Sequence, residues 1–131
     1  MSELKSRGFL LKQRAFLKLY LLEHIQAHKL YGSQYIDELK REFESYGYSP
    51  APSEVYKSLH ELTNDGYVTR EKKILGEEGT GFQEIIYYQL TEEGKKRADL
   101  YKIQMKEELD RCIGLLNKAV RDHYGPVSKL K

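Results

Sequence analysis

Cysteine is almost missing from this 131-residue chain: Cys112 stands alone, so no intramolecular disulfide staples the fold. Long apolar runs are missing as well. The most apolar stretch, Phe16 to Ile25, is interrupted by Lys18, Glu23 and His24. It falls far short of the ~20 residues that span a bilayer, so no membrane insertion is expected. No charged-apolar-small leader opens the sequence, and a reducing cytoplasm is the expected compartment. Nor does one sign of charge dominate, since 22 basic and 20 acidic side chains leave a formal net charge of +2. Any charged partner must therefore be read from where the charges lie. Chemical motifs are equally scarce. There is no Gly-Lys-Ser/Thr phosphate loop, and the glycines between 76 and 81 join two strand-like segments instead of opening a helix. His24 and His28 are spaced to share a helical face, but no cysteine or carboxylate set joins them, and His60 and His123 stand apart. No metal, no cofactor and no enzymatic activity are expected.

What is present is a succession of amphipathic segments long enough for one core. From Phe9 to Ile25 apolar residues recur at three- and four-residue spacings, which predicts a first helix. Gly32 breaks the pattern, and Tyr35, Ile36, Leu39 and Phe43 restore it as a second helix that stops at Gly47. Pro50 and Pro52 force a turn. Ser53 is placed to cap a third helix that buries Val55, Leu59 and Leu62 and ends at Asn64-Asp65-Gly66. This order is that of a helix-turn-helix variant. Tyr67 to Leu75 and Phe82 to Leu90, rich in β-branched and aromatic residues around a glycine-rich tip, predict a hairpin wing. Thr91-Glu92-Glu93-Gly94 then opens a helix of roughly 30 residues, or about 45 Å, which is more than a domain of this size can cover. Its seam, Tyr101, Met105, Leu109, Cys112, Ile113, Leu116 and Ala119, is expected to meet a second copy of the chain.

The fold expected is therefore α+β, mainly α: a winged helix-turn-helix with a two-stranded wing and a long C-terminal dimerisation helix. Residues 1–91 form the DNA-binding domain with a basic N-terminal arm, 92–124 the dimerisation helix, and 125–131 a flexible tail. Charge distribution supports a double-stranded DNA partner. Residues 1–31 hold six basic and two acidic groups, whereas residues 32–66 hold three basic and seven acidic ones. On the third helix Ser53, Glu54, Tyr56, Lys57, Ser58 and His60 offer donors and acceptors for base edges and phosphates. Lys5, Arg7, Lys12, Arg14 and Lys18 of the arm and first helix, with Arg70, Lys72 and Lys73 of the wing, are the candidate phosphate ligands. Glu77 and Glu78 oppose them at the tip. An ordinary solvated helix face accounts for the third-helix residues taken alone, and half-buried packing accounts for most of the eleven tyrosines, although an effector pocket lined by some of them is the alternative.

Gly8-Phe9-Leu10, the run Lys12-Gln13-Arg14-Ala15-Phe16-Leu17-Lys18-Leu19-Tyr20, then Glu54-Val55-Tyr56, Ser58-Leu59-His60-Glu61-Leu62 and Glu108-Leu109-Asp110-Arg111-Cys112 together resemble the bacterial replication terminator protein family. The resemblance spans nearly the whole chain. It implies a winged-helix dimer, joined by antiparallel C-terminal helices, that binds terminator DNA and stops a replication fork arriving from one side, with a nucleoid-associated location. The wing tip and the tail from Gly125 to Lys131 depart from the family pattern. Tyr56, Leu59, His60, Leu62, Gly66 and the run Leu90-Thr91-Glu92-Glu93-Gly94 are similar to PadR-type regulators, for which a transcriptional repressor on a palindromic operator is implied. The acidic side chains Asp37, Glu38, Glu42 and Glu44 suit a protein-contact face, with a replicative helicase as the partner, and suit plain solvation as well.

Overall fold

The computed structural model describes residues 8–27, 30–77, 79 and 81–125. Its elements follow the order α1 (Gln13–Ala27), α2 (Gln34–Phe43), a one-turn 3-10 helix (Glu44–Tyr46), α3 (Pro52–Asn64), β1 (Val68–Glu77), β2 (Gly81–Leu90) and α4 (Glu92–Tyr124). The strands pair antiparallel from Val68 opposite Leu90 to Glu77 opposite Gly81. This is the expected mainly helical α+β arrangement: three helices and a two-stranded wing, followed by one long helix.

The core explains the periodicity. Leu17, Leu21, Leu22 and Ile25 of α1, Tyr35, Ile36, Leu39 and Phe43 of α2, and Val55, Leu59 and Leu62 of α3 bury against one another, with Val68 and Tyr88 of the sheet closing the cluster. An aromatic group flanks it. Phe16, Tyr20, Phe43 and Tyr48 lie with ring centroids 4.8–6.3 Å apart in tilted and edge-on pairs, the geometry that ring quadrupoles favour. Burial pushes the Tyr20, Tyr35 and Tyr48 hydroxyls above the ordinary tyrosine range.

Three expectations need correction. The first helix starts at Gln13, not at Phe9, which is 71% exposed. The preceding segment instead takes its hydrogen bonds from α4: the Leu11 amide donates to Cys112 Sγ at 3.2 Å, and Arg111 reaches the Gly8 and Phe9 carbonyls at 3.4 and 3.5 Å. Ser53 does not cap the third helix. The N-cap is Ala51 in extended conformation, with Pro52 at the first helical position, where its missing N–H costs no hydrogen bond. Third, the strands run closer to the tip than expected, with β1 ending at Glu77 and β2 starting at Gly81. The arm residues Lys5 and Arg7, His28, Glu78 at the tip and tail residues 126–131 lie outside the described residues.

The joint between wing and α4 is built by Thr91. Its hydroxyl accepts from the Gly94 amide at 2.7 Å, which caps α4, and donates to the Gly66 carbonyl at 2.8 Å. Gly66, at φ +84°, reverses the chain after α3. Gly94 is buried where a Cβ would run into the Tyr67 carbonyl. Arg97 adds a bond from its guanidinium to the Asp65 carbonyl (2.6 Å) and stacks 4.1 Å over the Tyr67 ring.

Candidate nucleic-acid interface

α3 rolls one face into the core and leaves the other to solvent. Val55, Ser58, Leu59 and Leu62 are buried, while Ser53, Tyr56, Lys57, His60 and Asn64 are exposed and recur three, one, three and four residues apart, on one side of a helix. Beside this face the start of β1 brings in Arg70, which stands opposite Tyr88 in the sheet. The two elements enclose a groove of about 510 Å³ lined by Arg14, Tyr56, Lys57, His60, Glu61 and Arg70 among others. Residues far apart in sequence thus make one polar, mostly cationic concavity. His60 Nε2 and Asn64 Nδ2 are 3.1 Å apart and fix each other along the helix rim.

Ser58 departs from its expected place. It is fully buried, and its hydroxyl donates to the Glu54 carbonyl one turn back (2.8 Å), so no part of it is offered to a base edge. Lys57, Lys72, Lys73 and Arg70 are exposed and enter no ion pair among the described residues, as phosphate-seeking cations would. Lys72 and Lys73 point to opposite faces of the wing because strand side chains alternate. Lys12 is exposed just ahead of α1. Arg14 and Lys18, expected as free cations, are held by carboxylates of α3. The Arg14 guanidinium donates to Glu54 at 3.0 and 3.4 Å and to Glu61 at 2.6 Å, and Lys18 donates to Glu61 at 2.6 Å. These bonds hold the Glu54 and Glu61 carboxyls below the usual carboxylate range and raise the Arg14 guanidinium above its own. Glu61 has no expected role from sequence patterning. The signal was there: it lies seven residues after Glu54, two turns along the same face, as Lys18 lies one turn after Arg14.

The seam expected for a dimer divides in two. Tyr101 and Cys112 face their own chain: the Tyr101 hydroxyl donates to the Ala15 carbonyl at 2.7 Å, and Cys112 is buried on the Leu11 amide. Burial pushes the Tyr101 hydroxyl up to about 12. Met105 and Leu109 are half-buried, whereas Ile113, Leu116 and Ala119 are exposed. Between α1 and α4 runs a cleft of about 710 Å³ lined chiefly by apolar groups, including Leu19, Leu22, Ala98, Ile103 and Leu109. The ring of His24 sits 2.9 Å from a Glu42 oxygen but off the line of a good hydrogen bond. Among the described residues no group of three or more His, Cys, Asp or Glu converges as a metal site, and no helix is long and apolar enough to cross a membrane.

The same arrangement recurs in solved structures. A transcriptional regulator of Clostridium thermocellum superposes with a TM-score of 0.56 at 20% identity, over 83% of this chain and 97% of that one. A PadR-like transcription factor of Bacteroides fragilis gives 0.51 at 16%, over 79% and 92%. At such identities the likeness is one of fold, the winged helix. In sequence, a transcriptional regulator of Mycobacterium tuberculosis is 32% identical over 63 residues, 48% of this chain and 55% of its own. The replication termination proteins of Bacillus subtilis and Bacillus vallismortis are each 44% identical over 119 residues, 91% of this chain and 94% of theirs. The model of the family described as replication terminator protein matches residues 8–124. With that match along almost the whole of its described length, the chain belongs to the replication terminator protein family.

Proposed function

We propose that the chain is a sequence-specific double-stranded-DNA-binding protein of replication-terminator type, a homodimer that binds terminator DNA and arrests a replication fork in one orientation. The observation that carries this reading is the 44% identity to the Bacillus replication termination proteins over 91% of the chain. The geometry supports it. α3 presents Tyr56, Lys57 and His60 on an exposed face suited to a major groove, Arg70 of the wing lines the groove beside it, and Lys72 and Lys73 are exposed further along the wing, on opposite faces, as candidate phosphate ligands. No role in covalent chemistry is assigned to any residue, and no cofactor enters the reading.

Dimerisation is assigned to α4. A 33-residue helix is roughly 50 Å long, and Met105, Leu109 and Leu116 lie four and seven residues apart on one stripe. With Ile113 beside it, that stripe leaves apolar surface that a second copy would cover. Tyr101 and Cys112 buttress the helix against its own domain. The unit up to Thr91 then reads DNA and α4 joins the copies, with nucleoid-associated cytoplasmic location following from the partner. A replicative helicase is the protein partner this function implies. Asp37 and Glu44 are the exposed carboxylates available to it, since Glu38 pairs with Arg41 and Glu42 lies against His24.

A symmetric dimer on a perfect palindrome looks the same from both sides, so polarity requires asymmetric DNA or two dimers bound unequally. The test is helicase-driven strand displacement on a duplex carrying the bound site in each orientation. Arrest in one orientation and passage in the other is expected. Equal passage at saturating protein refutes terminator function. The alternative, a PadR-like repressor on a palindromic operator, draws on the fold likeness to transcriptional regulators and would then lead. Mapping of genomic fragments retained by the protein separates the two: terminus-proximal sites support arrest, and promoter-overlapping sites support repression.

A further inference from the structure

We infer that Arg14 and Lys18 act as positioning residues for recognition: joined to Glu54 and Glu61, they lock α3 against α1 and withhold two cations and two carboxylates from the phosphate backbone. The inference rests on the DNA-binding reading. Arg14 stands in the first turn of α1 and Lys18 one turn later; Glu54 and Glu61 stand two turns apart on α3. Arg14 spans both carboxylates, with two nitrogens on Glu54 and one on Glu61, and Lys18 closes the chain on the second oxygen of Glu61. A planar guanidinium held by two carboxylates fixes direction as well as distance. The Lys18 and Glu54 side chains are only 16% and 24% exposed, so this ladder is no loose surface pairing.

The consequence for binding follows from charge. The four groups sum to zero, and two of them, Arg14 and Glu61, line the groove that also holds Tyr56, Lys57, His60 and Arg70. A phosphate approaching them gains no net attraction unless it breaks a carboxylate pair. Affinity that comes from counterion release is blind to sequence, so cations removed from that pool raise the weight of the remaining contacts in discrimination. The ladder adds to the buried face of Val55, Leu59 and Leu62 in holding α3 at the rotation that turns Tyr56, Lys57 and His60 outward together. Partly exposed ion pairs add little to global stability, so the effect belongs to recognition more than to folding.

Two measurements test this. Glu54→Gln combined with Glu61→Gln frees both cations while leaving the core intact. Its affinity for a random-sequence duplex should rise, and the slope of log affinity against log salt should steepen by one to two units, at about 0.9 per phosphate gained. The ratio of specific to random-sequence affinity should fall, and Arg14→Gln alone should leave the salt slope unchanged. The opposite pattern, in which Arg14→Gln lowers the slope by about one unit and the double carboxylate variant leaves it as it was, makes Arg14 a direct phosphate ligand and overturns the inference. Without DNA, NMR titration of the Glu54 and Glu61 carboxyls should place both below the ordinary range and return them to it in Arg14→Gln with Lys18→Gln. Ordinary values in the native chain remove the ladder and the inference with it. Depressed values in a protein that binds neither duplex leave the ladder in place but overturn its role by removing the DNA reading.

Discussion

At the scale of single residues, Tyr101 carries the clearest ionisation. It lies between α4 and the start of α1, its hydroxyl bound to the Ala15 carbonyl and its ring edge-on to Tyr67 at 6.2 Å. Its folded-state value of about 12 lies above the ordinary value of 10.0, raised first by burial. The neutral form is thus favoured by folding. The stabilisation is whole below pH 10, where Tyr is neutral in both states, and is lost as the pH rises from 10 through 12, on the order of 2 kcal/mol in all. Tyr101→Phe should cost about 1 kcal/mol at neutral pH through the lost hydrogen bond and should flatten this alkaline decline. Ultraviolet tyrosinate titration checks it, since the latest-ionising group should disappear in the variant. Glu54 and Glu61 have the opposite sign. Their depressed values give stability above the usual carboxylate range that is lost as the pH falls through the folded values. The melting temperature should therefore fall toward acid less steeply in Arg14→Gln than in the native chain.

At the scale of elements, the joint between wing and α4 decides the direction of the long helix. Gly94 is buried against the Tyr67 carbonyl, and a methyl group there must push the helix away from the strand. Gly94→Ala should destabilise the chain by about 1–3 kcal/mol despite the better helix propensity of alanine, as a thermal melt would show. Thr91→Ala removes both the cap on the Gly94 amide and the bond to the Gly66 carbonyl, at a cost of about 1 kcal/mol. A gain in stability from either substitution would reject this account of the joint. By contrast Ser53→Ala should change stability little, because Ser53 lies inside α3 and makes no capping hydrogen bond.

At the scale of the whole molecule, the proposed dimer would use the exposed stripe of α4 as its joint. Ile113→Glu with Leu116→Glu places charge on the exposed part of the stripe without touching the core, so it should yield folded monomers with much weaker site-specific binding. Analytical ultracentrifugation and a duplex-binding titration check both halves of that expectation. A native chain that sediments as a monomer at micromolar concentration would sink it. Cys112→Ser should remain dimeric, since Cys112 faces Leu11 of its own chain and not the open stripe.

What the sequence determined by itself was whatever depends on local order. Apolar spacing in Leu17, Leu21 and Ile25 or in Tyr35, Ile36 and Leu39 marks a buried face because 3.6 residues make a turn. Pro50 and Pro52 end a helix by covalent geometry, Thr91 ahead of Glu92-Glu93-Gly94 marks a helix start, and alternation around a glycine tip marks a hairpin. From these the winged helix was legible. What the tertiary structure alone decided was how side chains from separate elements divide their partners. Arg14 and Lys18 read as free cations along their own helix, and only the crossing of α1 over α3 gives them Glu54 and Glu61. Ser58 reads as a donor until its hydroxyl turns back to the Glu54 carbonyl inside the core. Phe9 to Leu11 read as helix until Arg111 and Cys112 claim their backbone. A charge or a hydrogen-bonding group serves whichever partner comes within about 3 Å, and that distance is set by packing between elements, which no local pattern encodes.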